Sequence, residues 1–451
     1  MCDKIKEFLD KVCYHVRAKA AHKEIRDELV GHIEEMQSAG TTLDAAISSM
    51  GDCSEIGLRL DKQHRPQVEW WLIGLVAFIV AIGAVMMFGG NLPHYANVGN
   101  YIIWLIIGIG IASGIMFFDY TKLKNIALLF YIAGVILLIF TLTAGIFVNG
   151  VAIMRIGSFT ISPQLAIIPF VLAFVGFMDR FRGEGVWGII KLFLLGIVSI
   201  FMMVLVPSVA AMLILLGCYA VLMFTAVVKN HFGDGKRAQI LLLCSIALLF
   251  LIIFGIMLVR NPMAAMRFFG FFRISDPDGV HWLNIQVSNL LAHAEFWSGI
   301  RTINGFDLHY FLPGMISEFA LANIIISFGW IVGIALVLAI SALIVRLFMV
   351  TRKIRNVFGF YIALAAYVVL TMQFIINILM NFGLFPILSV TLPFVSFGGS
   401  LYVANMVLVG VILSVWRRNN ILRAIHKQTN KEKAPMFEYS DGKLVVNFKG
   451  K

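Results

Sequence analysis

Ten apolar runs, near 70–88, 101–118, 126–148, 159–178, 186–205, 209–228, 240–259, 319–345, 357–384 and 401–416, dominate this chain. Each is long enough to cross about 30 Å of hydrocarbon at roughly 1.5 Å per residue. Of 451 residues, 60% are hydrophobic and 14% charged, a balance that no water-soluble domain of this size could keep in solution. The reading is an all-α polytopic membrane protein with about ten transmembrane helices.

The positions of the charges carry more than their net sum of +11. With the N-terminus assigned to the cytoplasm, the short loops at 119–125, 179–185, 229–239 and 346–356 are cytoplasmic. They hold Lys122, Lys124, Arg180, Arg182, Lys229, Lys236, Arg237, Arg346, Arg352, Lys353 and Arg355, whereas the short loops of the other side hold only Arg155. This is the positive-inside asymmetry, and an even number of spans returns the basic tail, 421–451, to the cytoplasm. Nucleic acid is not an expected partner; membrane lipid is. Trp70, Trp71, Tyr101 and Trp416 fall at span ends, where amphipathic rings favour the headgroup zone. A polar stretch of some seventy residues precedes the first run, so no cleavable signal peptide is expected there. The five cysteines, Cys2, Cys13, Cys53, Cys218 and Cys244, make neither a disulfide framework nor a zinc spacing.

Residues 1–69 are predicted to be a small cytoplasmic helical domain. An apolar helical period over 22–38 (Ile25, Leu29, Ile33, Met36) stops at Gly40, Thr41 with Asp44 suggests a capping box, and Gly51-Asp52 opens a short helix ending near His64. Through Glu24-Ile25-Arg26-Asp27-Glu28-Leu29 and Met50-Gly51-Asp52 with Glu55-Ile56-Gly57, the segment resembles the permease prefix domain, which implies regulation or docking. His22, His32 and Cys53 are too scattered for a metal site, and none is expected.

One segment stands apart. About sixty residues from Arg260 to Glu318 form a large extracytoplasmic loop, 260–318, between helices 7 and 8, and long loops of this kind carry function more often than not. It holds Asp276, Asp278, Glu295, Asp307, Arg267, Arg273, Arg301 and three histidines, interleaved with Phe268, Phe269, Phe271, Phe272, Trp282, Phe296 and Trp297. The aromatic residues suggest amphipathic segments lying in the interface, placed to meet a lipid-anchored substrate. The plainer reading is a solvated loop, with Asp276-Pro277-Asp278-Gly279 as an ordinary turn.

Further along, Gly383-Leu384-Phe385-Pro386, Leu392-Pro393-Phe394-Val395-Ser396-Phe397-Gly398-Gly399-Ser400 and Asn405, with Asn377 nine residues before Pro386, resemble the C-terminal signature of the FtsW/RodA/SpoVE (SEDS) family. From the residues alone, a Pro-Phe-x-Ser-x-Gly-Gly-Ser stretch beside a span is either a broken helix or a kink where small residues pack. The resemblance runs from about 70 to 420, the ten-span membrane domain, and shares the large loop. Asp276-Pro277-Asp278-Gly279 with Trp282 and Gln286 resembles the family's Asp-Pro-x-Gly stretch. Ser317-Glu318-Phe319 after Leu312-Pro313 stands where the family has Thr-Asp-Phe, and Asn149-Gly150, Arg155 and Gly157 resemble part of the motif after span three. Three motifs depart: Ser162-Pro163-Gln164-Leu165 stands for Gln-Pro-Ser-Glu, Val206-Pro207-Ser208-Val209-Ala210-Ala211 for Gln-Pro-Asp-Leu-Gly-Thr, and Ile326-Ser327-Phe328-Gly329 for Glu-Glu-Leu-Gly.

The resemblance implies a peptidoglycan glycosyltransferase in the bacterial cytoplasmic membrane that polymerises lipid II into glycan strands during elongation, division or sporulation. It implies a single-span penicillin-binding transpeptidase as partner. Asp276 is the expected general base, with Asp278 as the alternative. Arg267, Arg273 or a divalent cation (Mg or Mn) would balance the pyrophosphate charge, and Gln286, Glu318, Ser396, Gly398, Gly399, Ser400 and Asn405 complete the expected substrate site. The competing readings are a lipid II flippase and a catalytically silent scaffold of a cell-wall complex.

Overall fold

The structure, a computed structural model, describes residues 3–17, 22–64, 66–89, 98–148, 151–157, 159–206, 208–233, 235–260, 265–266, 282–297, 302–303, 306–307, 314–419, 437–440 and 443–446. These form two compact units: 1–68 with 354–356 and 416–451, and 69–353 with 357–415.

In the first unit, α1 (Asp3–Tyr14), α2 (His22–Ser38), α3 (Leu43–Met50) and α4 (Cys53–His64) surround one apolar core. Ile5, Phe8, Leu9 and Val12 recur at helical spacing on α1 and meet Ile25, Leu29 and Ile33 of α2. Each such fully buried side chain contributes about 1.5–3 kcal/mol. Asp61 accepts a hydrogen bond from the Arg17 N–H at 2.8 Å, which ties the end of α1 to α4. The sequence reading of α2, the Gly40 stop and α4 agrees with these bounds, but the expected capping box does not form. Thr42, not Thr41, is the N-cap of α3 and its side chain makes no capping bond; Asp44 instead pairs with Lys4 at 2.8 Å.

The second unit is the membrane bundle. Its long helices are α5 (Trp70–Gly89), α6 (Val98–Phe117), α7 (Ala127–Ala144, entered through a 3-10 turn at Tyr120–Ile126), α8 (Ile167–Arg180), α9 (Gly185–Leu205), α10 (Val209–Val228) and α11 (Lys236–Arg260). After α12 (Trp282–Ala292) come α13 (Ala320–Phe328), α14 (Trp330–Lys353), α15 (Val357–Asn381) and α16 (Gly399–Arg418). Among the described residues, nine segments have the length and apolar character of a membrane span. The 25-residue α11 adds a tenth helix of spanning length, about 38 Å. Burial sorts them: 72% of the α16 window and 61% of the α15 window lie inside the bundle, against 17% for α6, so α15 and α16 are central and α6 is largely left to lipid.

Three spans differ from the sequence reading. The run at 126–148 ends early, because Ile146–Val148 is a strand, β1, that pairs antiparallel with β2 (Val151–Ile156); β3 (Phe159–Ile161) completes a three-stranded sheet and takes the start of the expected fourth span. The β-branched residues Ile146, Val148, Val151, Ile153 and Ile156 account for the strands. Two further two-stranded pairs, β4 (Thr302–Ile303) with β5 (Phe306–Asp307) and β6 (Phe437–Ser440) with β7 (Lys443–Val446), follow. The run at 319–345 is broken at Gly329, whose φ of 88° is the left-handed region that favours glycine. The freed N–H groups of Trp330 and Ile331 donate to the carbonyls of Glu295 and Phe296, at 3.1 and 3.3 Å. Helix α14 then continues to Lys353, so Arg346 lies within it and not in a loop; it pairs there with Glu69, whose side chain is 6% exposed. Tyr101, grouped by sequence with the interface anchors, faces the bundle at 4% exposure, while Trp70 and Trp71 are exposed as expected.

Candidate functional site

The signature stretch is not helical. Between the ends of α15 and α16, residues 385–398 run as extended chain and turns with most side chains buried, so their backbone groups need partners other than water. Those partners come from four elements. Asn377 Nδ2 on α15 donates to the Val390 carbonyl at 2.7 Å, Gln164 Nε2 donates to the Ser389 carbonyl, and Phe397 N–H donates to the Ile316 carbonyl at 2.7 Å. Ser396 Oγ accepts from Leu392 N–H at 2.8 Å and donates to the Ser317 carbonyl at 2.5 Å. Ser400 Oγ donates to the Thr160 carbonyl on β3, which fastens the sheet to the first turn of α16.

Within this stretch Phe394 has φ of 69° and is 1% exposed. A bulky residue there costs about 1–3 kcal/mol, and such strain persists only where the surroundings over-determine it. Gly83 of α5 lies directly against this backbone: a Cβ there would meet Val395 Cα at 2.9 Å.

The signature stretch leans on the segment that leads into α13. The Glu318 carbonyl accepts from Asn377 Nδ2 at 2.8 Å and Asn381 Nδ2 at 3.1 Å, and Asn381 Oδ1 accepts from Ala322 N–H at 3.0 Å. Two buried asparagines one helical turn apart on α15 therefore hold the head of α13 and the signature to one helix. The Glu318 carboxylate folds back over Gly314, where any side chain would collide with Glu318 Oε2.

Of the expected site residues, the structure brings together Glu318, Ser396, Gly398, Gly399 and Ser400. Asn405 is buried on α16, beyond its first turn, and Gln286 is half-buried on α12, whose Val287, Leu290 and Leu291 are its buried face. Asp276, Asp278, Arg267 and Arg273 lie outside the described residues. Among the described residues no three His, Cys, Asp or Glu side chains gather as a metal site. Sequence reasoning missed Asn381; its signal was an intramembrane polar residue four positions after Asn377, hence on the same helix face. A separate cavity of about 280 Å³ among α6, the 3-10 turn, α8 and α16 is lined by apolar side chains and Ser414, a lining suited to hydrocarbon and not to sugar.

The family described as "Cell cycle protein", FtsW/RodA/SpoVE, matches residues 66–421, a range that takes in the whole bundle and the joint between α13 and the signature. The chain belongs to this family. An FtsW/RodA/SpoVE relative from Hydrogenovibrio crunogenus, named probable peptidoglycan glycosyltransferase FtsW, is 25% identical over 380 residues, covering 78% of this chain and 92% of its own. One of the same name from Acinetobacter baylyi is 24% identical over 366 residues, covering 76% and 88%. In fold, the chain is similar to the rod shape determining protein RodA of Thermus thermophilus, with a TM-score of 0.55 and 21% identity over 78% of this chain and 97% of that one. It is similar also to a chain in a peptidoglycan synthase complex that coordinates polymerization and crosslinking, with a TM-score of 0.63, 22% identity, and coverage of 78% and 98%. It is thus a multi-pass membrane protein of a cell-wall synthesis family.

Proposed function

We propose that this chain is a peptidoglycan glycosyltransferase that polymerises lipid II at the outer face of the bacterial cytoplasmic membrane, with both termini in the cytoplasm and a single-span penicillin-binding transpeptidase beside it. The observation that carries the reading is family membership over 66–421, which spans the Glu318 joint and the signature together. In the reaction an acceptor hydroxyl oxygen attacks the anomeric carbon of the donor sugar, and the bond from that carbon to the pyrophosphate oxygen breaks. Undecaprenyl pyrophosphate leaves with the electron pair. Asp276 takes the hydroxyl proton, with Asp278 as the alternative acceptor. Arg267 and Arg273, or a divalent cation such as Mg or Mn, offset the charge of the departing pyrophosphate.

The buried frame supports this role by rigidity. A transferase needs its donor and acceptor held within a fraction of an ångström, and the bonds of Asn377 to Glu318 and of Ser396 to Ser317 stiffen the segment that leads into α13. Complementation in cells depleted of the chain tests the reading. Wild type restores wall growth, and Asp276→Asn, present in the membrane at equal amount, does not. Rescue by Asp276→Asn, with failure of a chain lacking 1–69, would replace the transferase by a scaffold. Lipid II trapped on the inner leaflet of depleted cells would replace it by a flippase.

A further inference from the structure

We propose that the small cavity between α6 and the first turn of α16 is an oxyanion subsite that takes one phosphate oxygen of a polyprenyl-linked pyrophosphate, with Tyr101 and Tyr402 as its hydroxyl donors. This rests on the proposed action on lipid II. The cavity has a volume of about 10 Å³, room for a single oxygen-sized atom, and Tyr101, Trp104, Ser396, Gly398, Gly399 and Tyr402 are among its walls. Tyr101 and Tyr402 are 4% and 5% exposed, and among the described residues neither hydroxyl has a hydrogen-bond partner. Two buried hydroxyls without partners, on residues that line one cavity, are a standing cost that a shared acceptor would remove.

The cavity lies beside the start of α16. The first intrahelical bond of the 20-residue α16 runs from Tyr402 N–H to the Gly398 carbonyl at 2.8 Å, so the N–H groups of Gly399, Ser400 and Leu401 precede the helical ladder at its positive end. The indole of Trp104, which also lines the cavity, packs against Gly399: a Cβ on residue 399 would collide with its Nε1, Cδ1 and Cε2. Ser396 Oγ is already engaged, donating to Ser317 and accepting from Leu392. Among the described residues no carboxylate lines the cavity. Donors without a countercharge at a helix N-terminus select an anionic oxygen over a neutral one.

The surroundings suit an amphipathic ligand. Ile102, Ile103 and Ile106, next to Tyr101 and Trp104 on α6, are exposed on the lipid-facing side of the bundle, a path for a prenyl chain whose phosphate sits in the cavity.

The test uses the full chain in phosphatidylcholine nanodiscs, with binding of undecaprenyl pyrophosphate, undecaprenol and inorganic pyrophosphate measured on wild type, Tyr101→Phe and Tyr402→Phe. Phenylalanine keeps the ring packing and removes only the donor. The expected result is preference of wild type for undecaprenyl pyrophosphate over both other probes, and a roughly tenfold weaker hold on it in each variant, with undecaprenol unchanged. Gly399→Ala, which displaces the indole, weakens it as well. Wild-type binding in both phenylalanine variants, with only a lowered melting temperature, would mean that the hydroxyls hold a structural water, and would overturn the subsite. Equal retention of inorganic pyrophosphate would overturn its lipid-linked ligand. If wild type makes no glycan strands yet loses undecaprenyl pyrophosphate on these substitutions, the subsite stands and the polymerase reading falls. Strand synthesis with an unchanged KM in the variants gives the reverse.

Discussion

Asn377 Nδ2 donates to the backbone carbonyl of Glu318 at 2.8 Å, and so ties the head of a broken span to the centre of the bundle. The same amide reaches the Val390 carbonyl at 2.7 Å, so a single side chain satisfies two buried acceptors on two non-helical segments. Asn377→Leu keeps the volume, strips the Val390 carbonyl of this donor and leaves the Glu318 carbonyl the 3.1 Å bond from Asn381 Nδ2. Each buried carbonyl left without a donor costs about 1–3 kcal/mol. Thermal unfolding in detergent will show a clear loss of stability, and strand synthesis will fall further than stability alone accounts for; an unchanged midpoint would mean that water replaces the amide.

Gly329→Ala tests the break between α13 and α14. The φ of 88° and a Cβ contact of 2.8 Å to the Phe296 carbonyl act together, and the positive φ alone costs about 1–3 kcal/mol. Gly74→Ala is the control: it lies within α5 with nothing within 4 Å of the added carbon, and it stabilises by up to about 1 kcal/mol. The two substitutions are expected to shift the unfolding midpoint in opposite directions.

Much of this was legible in the sequence, for identifiable reasons. Long apolar runs fix spans such as α5, α9 and α10 to within a residue or two, because hydrocarbon thickness dictates their length. The sheet at 146–161 and the break at Gly329 were not legible. β-branched residues serve a buried strand and a span equally well, and a single glycine in an apolar run marks a break only when a partner such as Glu295 waits for the freed N–H groups. The buried joint was half legible: the signature named Ser396 and Ser400, but the bonds of Asn381 to Glu318 and Ala322 come only from what the fold brings to it.

Glu69, just before α5, and Arg346 on α14 form an ion pair in which Nε and Nη2 both donate to Glu69 Oε1, with side chains 6% and 24% exposed. Removing one partner strands a charge, at a cost of about 3–5 kcal/mol. Arg346→Met and Glu69→Gln are each expected to lower the unfolding midpoint strongly, and the double substitution to recover most of that loss. Additive losses would show that the two side chains act separately.

His231 gives the chain an acid sensitivity outside its spans. Burial, with help from Arg182, holds its imidazole below the ordinary 6.5, against the opposing effects of the Met178 carbonyl and Asp179. The ring nitrogen Nε2 is 3.0 Å from that carbonyl. Since the folded value is depressed, the contribution of His231 to stability is complete above pH 6.5 and is lost as the pH falls toward the native value, where the unfolded chain binds the proton more readily. Unfolding midpoints are expected to drop between pH 7.5 and pH 5.5, with a flatter profile in His231→Gln. Parallel profiles would assign the acid sensitivity to other groups.

The central claim is the transfer of sugar from a lipid-linked donor, and polymerisation of labelled lipid II by the purified chain with a matched transpeptidase tests it most directly. The account predicts glycan strands from wild type and none from folded Asp276→Asn protein. No strands from wild type, or equal strands from both, would contradict it.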